Sequence, residues 1–260
     1  MAQLQPYKGD YYLWLYVPSL AAAVIFLLCF LALTAAHCWR LWKTRAWFCI
    51  PFAVGGFFEA YGYAARAAAH NKTGKLMPYV VQNQGILLAP ALFAASIYMT
   101  LGRLIRCVKG EKYSIVRVDW LTRAFVLGDI LSFLVQGAAV GPMITGSDPT
   151  LGEAIVLTGL FIQIVSFCLF LVTAVVFHVR MHRFPTLESF GEEGARWNQC
   201  LVMLYWVGGL IMVRSIFRVV EYAMGQSGYA LRHEWTMYIF DSVPMLAVIA
   251  IFYVWFPSYL

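Results

Sequence analysis

The chain has 260 residues, of which 62% are hydrophobic and only 12% charged, with a formal net charge of +6. A soluble domain carries about 25% charged residues, and one water-soluble core could not hide this much apolar surface. The basic excess sits in short strips between apolar runs, a pattern that fits loops against an anionic membrane face and argues against a nucleic-acid partner.

About 20 apolar residues are needed to cross a hydrocarbon core of roughly 30 Å. Seven such runs are predicted, at residues 13–36, 47–69, 79–103, 121–140, 154–177, 200–222 and 235–256. Backbone groups in lipid must be satisfied within the segment, so the runs are read as helices. The expected fold is an all-α, seven-transmembrane-helix bundle forming a single membrane domain over residues 1–260. The first run follows Lys8 and Asp10, not a basic leader, and is longer than a signal-peptide core, so it is expected to stay as an anchor. Between the second and third runs, Asn71-Lys72-Thr73 fits a glycosylation sequon. Pro90 and Pro244 fall inside the third and seventh runs and predict kinks. Gly137 and Gly141 make a lone GxxxG pattern for helix contact at the end of the fourth. The longest connection, residues 178–198, carries Pro185, Gly191 and Gly194 with mixed charge and is read as a loop. Cys29, Cys38, Cys49, Cys107, Cys168 and Cys200 fall within helices or near the cytosolic side, so no extracellular disulfide framework is expected.

Orientation follows from the basic residues. One set of connections holds eleven: Arg40, Lys43, Arg45, Arg103, Arg106, Lys109, Lys112, Arg117, Arg180, Arg183 and Arg196. The opposite set holds four: Lys8, Lys72, Lys75 and Arg232. The positive-inside rule then places the N-terminus outside and the C-terminus in the cytosol.

Ionisable groups inside a membrane cost several kcal/mol unless paired or hydrated, which makes them candidates for function. Glu59, Tyr63 and Arg66 recur at i, i+4 and i+7 on the second helix, hence on one face. Arg214, Arg218 and Glu221 repeat that spacing on the sixth helix, and Glu234, Tyr238 and Asp241 on the seventh. Asp129 and Gln136 lie seven apart on the fourth, and Gln163 lies mid-depth on the fifth. The proposed topology puts Glu59 and Asp129 near the midplane and most of the others in the outer half, with Gln82 and Gln84 starting the third helix there. These residues describe an outward-facing polar cavity for substrate. Arg66 with Glu221 and Arg214 with Asp241 are the expected ion pairs. Three arginines against Glu59, Asp129, Glu221 and Asp241 leave one carboxylate free to hold a proton or a cation.

Several chemistries are disfavoured. No lysine falls within a predicted span, which removes a retinal Schiff base, and no phosphate-binding loop is present. The histidines His37, His70, His178, His182 and His233 divide three to two between the sides, so no zinc-type triad shares the outer cavity. No metal and no cofactor is expected.

The stretches Glu59-Ala-Tyr-Gly-Tyr63 with Arg66, Leu88-Ala-Pro90-Ala-Leu-Phe-Ala-Ala-Ser96-Ile-Tyr98-Met99, Asp129 through Gln136, Arg214-Ser-Ile-Phe-Arg218-Val-Val-Glu221-Tyr222, and Glu234 to Asp241 together resemble the RTA1-like family, the fungal lipid-translocating exporter family. The resemblance runs from about Tyr11 to Pro257. It implies a seven-helix fungal membrane protein linked to sphingoid-base translocation and to resistance against toxic amphiphiles. Family members often extend into a polar cytosolic tail, whereas this chain stops at Leu260, and the glycine-rich end of the fourth helix is thinned to Gly137-Ala-Ala-Val-Gly141.

The leading reading is a translocator or exporter of amphiphilic lipids or hydrophobic metabolites, in the plasma membrane or an endomembrane. Membrane lipids or amphiphilic small molecules would be its partners. A cationic amine would pair with Asp129 or Glu59. One alternative is a metal-independent intramembrane enzyme, an isomerase, hydrolase or cyclase, with Glu59 or Asp129 as the acid or base. Another is a seven-helix receptor or sensor.

Overall fold

Pro18 and Ser19 set where the first helix begins: Ser19 is extended, and its hydroxyl accepts the Ala22 N–H at 3.4 Å. The computed structural model describes residues 4, 6, 7, 14, 16–138, 149–190, 196–225 and 228–258. It is all-helical, and no strand occurs among the described residues. The long helices are α1 Leu20–Thr44, α2 Ile50–Ala69, α3 Leu76–Cys107, α4 Val118–Ala138, α5 Pro149–Arg183, α6 Trp197–Ala223 and α7 Glu234–Val254. Five of them, α1, α3, α5, α6 and α7, are long and apolar enough to cross a membrane. The charged residues Glu59 and Arg66 dilute the hydropathy of α2, as Asp119, Arg123 and Asp129 dilute that of α4.

Most helices overrun the apolar stretches that predict them, because backbone hydrogen bonding continues into polar flanks. Two starts move inward instead. α1 begins at Leu20, and Leu13 lies outside the described residues. Trp47–Cys49 form a 3-10 turn, so α2 proper begins at Ile50 with Pro51 in its first turn, where a missing N–H costs nothing. Val140 and Gly141, at the end of the fourth run, and Gly191 and Gly194 lie outside the described residues. A Cβ at Gly137 would meet nothing within 4 Å, so that glycine serves no close helix contact.

Consecutive helices pack side by side, α7 closes back onto α1, and α3 sits centrally against α2, α4 and α6. α2 and α3 approach closely. A Cβ at Gly85 would stand 3.0 Å from the Phe58 carbonyl and 3.2 Å from Gly62 Cα, so the two backbones touch there. Large apolar side chains point outward all round, among them Leu28, Leu134, Phe161, Val179 and Trp206, each at least 60% exposed. Water would not tolerate such a belt, whereas lipid does.

α7 is not uniform. Tyr238–Ser242 form a π turn immediately before Pro244. Pro244 cannot donate to a preceding carbonyl and its ring crowds the turn below, and the wide turn relieves both. The kink expected at Pro244 therefore takes the form of a π turn, while Pro90 is carried inside α3.

The turns after α1, α3 and α5 share one end of the bundle, called here the basic end. There Lys109 and Glu188 pair at 2.8 Å. Their hydrogen bond holds the Lys109 ammonium above its ordinary pKa and the Glu188 carboxyl below it. None of the six cysteines forms a disulfide.

Candidate functional site

The charged stripes fold inward and meet. α6 presents Arg214, Arg218 and Glu221 on one face, and the π turn of α7 aims Asp241 at them. Arg214 Nε pairs with Asp241 Oδ1 and Arg218 Nη2 with Asp241 Oδ2, while Arg218 Nη1 reaches Glu221 Oε2 at 2.9 Å. Arg214 Nη2 also donates to the Ile86 carbonyl of α3 at 2.5 Å. All four side chains are buried, between 1 and 7% exposed. Desolvating this many charges is tolerable only because each has an opposite partner and further hydrogen bonds.

Glu59 comes to the same cluster from α2 and is 1% exposed. Arg214, Asp241 and Arg218 are the charges around it, yet its Oε1 has no hydrogen-bond partner. One turn further along α2, the Tyr63 hydroxyl bonds Ser242 Oγ in the π turn, and its ring stacks on Phe26 and Phe30.

Beyond Tyr63, at the N-terminal end of the bundle, Arg66 is fully buried and pairs with Glu234 at 2.7 Å. Its guanidinium also donates to the Tyr238 hydroxyl at 3.1 Å and to the Tyr16 hydroxyl at 3.0 Å. The rings of Trp14, Tyr16 and Tyr238 lie 5.6, 5.5 and 5.2 Å from its centre, an aromatic sheath that suits a delocalised cation. Glu234 in turn accepts the Ser19 N–H at 2.8 and 3.1 Å, which ties the start of α1 to the start of α7.

Asp129 stands apart from this network, on the seam of α4 with α3 and α5. Its Oδ2 accepts the Tyr98 hydroxyl of α3 at 3.0 Å, and its Oδ1 has no partner. Farther along the seam, Ser132 donates to the Gly159 carbonyl at 2.6 Å and Gln136 donates to Ser132 at 2.8 Å. Gln163 is buried on α5. An apolar groove of 410 Å³ lies on the same α4–α5 seam, lined by Ala124, Phe125, Phe161, Ile162, Val165, Ser166 and Leu169. The Phe125 ring lies 5.4 Å from that of Tyr98.

The structure therefore gathers Glu59, Arg214, Arg218, Glu221 and Asp241 in one place. It puts Arg66 and Tyr238 in a second cluster and Asp129, Gln136 and Gln163 on a third. Two expectations change. Arg66 takes Glu234 and not Glu221, because Glu221 lies one turn from Arg218 on its own helix and is already held there. Among the described residues, Glu59 and Asp129 are both left without an ion-pair partner, where one free carboxylate was expected, since Glu234 joins the acids and Asp241 takes two arginines. Among the described residues the clustered charges are buried and do not stand exposed along an open cavity wall. Tyr98, Tyr16 and Trp14 complete these contacts from outside the charged stripes, while Ser132 and Ser242 lie on the stripes of α4 and α7 without a charge to mark them. Asn71 is exposed on the turn between α2 and α3, with Thr73 buried. Among the described residues, no three His, Cys, Asp or Glu side chains gather as a metal site would require.

In chemical terms the arginines are neutralised in place, so they fix the helices and the local field. The two unpaired carboxylates are where a cation or a proton would be held.

A family model described as RTA1 like protein matches residues 52–260. Protoporphyrin uptake protein 1 of Saccharomyces cerevisiae is 36% identical over 78% of this chain and 66% of its own. Protein RTA1 of the same yeast is 38% identical over 80% of this chain and 65% of its own. The sphingoid long-chain base transporter RSB1, also from that yeast, is 24% identical over 88% of this chain and 69% of its own. The chain thus spans slightly less than two thirds of the length of the first two relatives. No solved structure matches. With its apolar helices, its buried charge network and a family match over most of its length, the chain is an integral membrane protein belonging to the RTA1-like family.

Proposed function

We propose that this protein translocates amphiphilic molecules with a cationic amine, such as long-chain bases, across the membrane. The observation that carries the reading is the pair of buried carboxylates, Glu59 and Asp129, each with an oxygen free of any hydrogen-bond partner while the buried arginines are committed to other acids. An ammonium group supplies the missing charge and hydrogen bonds. The apolar groove on the Asp129 seam suits the tail. Support at the level of the family comes from relatives named as a sphingoid long-chain base transporter and a protoporphyrin uptake protein.

In this reading all seven long helices span the bilayer. α2 and α4 do so because their charges face the protein interior. The N-terminus lies outside and the basic end in the cytosol, at the plasma membrane. Tags at residues 5 and 260 are expected on opposite sides, with the C-terminal tag cytosolic. Same-side tags would remove one span from the set.

The central test reconstitutes the protein in liposomes and follows labelled sphingoid base for both movement and chemical change between about pH 5 and 8. Asp129→Asn keeps size and hydrogen bonding but cannot ionise, and it is expected to abolish movement while leaving the fold intact. Glu59→Gln is expected to act in the same way. Unchanged flux in both variants would return these residues to a structural role. A converted product that disappears in either variant would instead favour acid–base chemistry within the membrane.

A further inference from the structure

We infer that Thr34 and His37 of α1 form a proton path from the basic end of the bundle to Glu59. The inference deepens the reading of Glu59 given above.

The observation behind it is a line of polar atoms buried without partners. His37 is 1% exposed, and neither of its ring nitrogens has a hydrogen-bond partner. It is boxed by Phe52 of α2, at 4.8 Å between ring centres, and by Phe252 and Phe256 at 5.6 and 5.2 Å. One turn along α1, Thr34 is also 1% exposed, and its Oγ1 has no partner. Thr44, Thr100, Thr158 and Thr173 all return their hydroxyls to the carbonyl four residues back at 2.7 to 2.9 Å. Thr34 does not, although that acceptor is available to any helical threonine. Its side chain instead lies over Gly56 of α2, where any Cβ would collide with it. Glu59, with its unpartnered Oε1, is one helical turn above Gly56.

Each orphaned buried polar group costs about 1–3 kcal/mol, so a column of them on adjoining helices calls for a compensating role. Buried water bonded to such groups is the usual solution, and water between Thr34, His37 and Glu59 would join them into one chain. The contrast along the bundle strengthens the case. Above Glu59, Tyr63, Ser242, Arg66 and Glu234 are all bonded to one another or to neighbours. Toward the basic end, the side-chain polar atoms of Thr34 and His37 are left without partners.

Charged groups stand at both ends of this line. Arg40, one turn beyond His37, is the charge facing it; its guanidinium bonds the Tyr253 carbonyl and lies 5.2 Å from the Tyr253 and Phe256 rings. Arg214 and Arg218 of α6 and Asp241 of α7 face Glu59. In the relay, a proton from water binds one His37 nitrogen and the proton on the other nitrogen departs. The Thr34 hydroxyl accepts a proton and gives up its own, and the Glu59 carboxylate becomes the neutral acid. His37 and Thr34 keep their starting charge.

The test reads Glu59 directly, by infrared spectroscopy of the protein in liposomes. The carboxylic-acid band missing from Glu59→Gln is assigned to Glu59, and its hydrogen–deuterium exchange is timed after a switch to D2O. His37→Phe suits the aromatic box and Thr34→Val keeps the shape of threonine, so both are expected to fold. Each should slow the exchange by about tenfold or more. Exchange at the wild-type rate in both variants overturns the path, as does the absence of any Glu59 acid band between about pH 5 and 8. The measurement needs no transported molecule. A protein that moves no amphiphile but shows slowed exchange keeps the path while losing the translocator.

Discussion

Asp241→Asn is expected to destabilise the protein by about 3–5 kcal/mol, because it strips the shared counter-charge from two buried arginines. Asp241 holds Arg214 through one oxygen and Arg218 through the other. Asparagine keeps the shape and can accept one hydrogen bond, but it leaves the Arg214 charge without its anion and Arg218 with Glu221 alone. Neither guanidinium can lose its proton to escape the cost. Chemical or thermal unfolding in detergent micelles reads the effect. Glu59→Gln, which removes no ion pair, should unfold near the wild-type midpoint. Equal losses in the two variants would mean that the network contributes no more than a lone buried acid.

Gly85→Val is the second large effect. Its Cβ would stand 3.0 Å from the Phe58 carbonyl and 3.3 Å from the Gly62 nitrogen, and these are backbone atoms that cannot swing away. α2 and α3 must part, so the cost is expected to exceed the roughly 1–3 kcal/mol of ordinary overpacking. Parting would also pull Glu59 and Arg66 from their places, so folded yield and the proposed translocation should fall together. Gly209→Ala is the control: nothing lies within 4 Å of a Cβ there, and the substitution should leave the unfolding midpoint at or above that of wild type. A midpoint for Gly85→Val equal to that control would show that the crossing has slack.

The helices were legible because lipid demands long apolar runs, and the buried charges because they interrupt those runs. Their inward facing followed from the i, i+4, i+7 spacing, and Glu59, Arg66, Asp129, Arg214, Arg218, Glu221 and Asp241 are all buried. Partner choice was harder to read. Whether Arg66 takes Glu221 or Glu234 depends on how far two helices slide past each other, which no periodicity within one helix encodes. Tyr98 reaches Asp129 from another helix, and Tyr16 reaches Arg66 from the segment before α1, so neither shares a repeat with its target. His37 was read as one of several scattered histidines. Its isolation from every hydrogen-bonding neighbour is a property of packing alone.

The π turn of α7 gives the last helix two independent angular settings. One extra residue in a turn rotates everything before it by about 100° relative to everything after it. On one side of that offset Glu234 meets Arg66, with Tyr238 joining it from the first residue of the turn; on the other, Met245, Val248, Ile249 and Phe252 fill the interior. Asp241 and Ser242 sit inside the offset itself, where they reach α6 and α2. Substitutions at the N-terminal end of the helix thus leave the phase of the lower packing untouched. The N-terminal half of the helix can change while the packing beneath it stays in register.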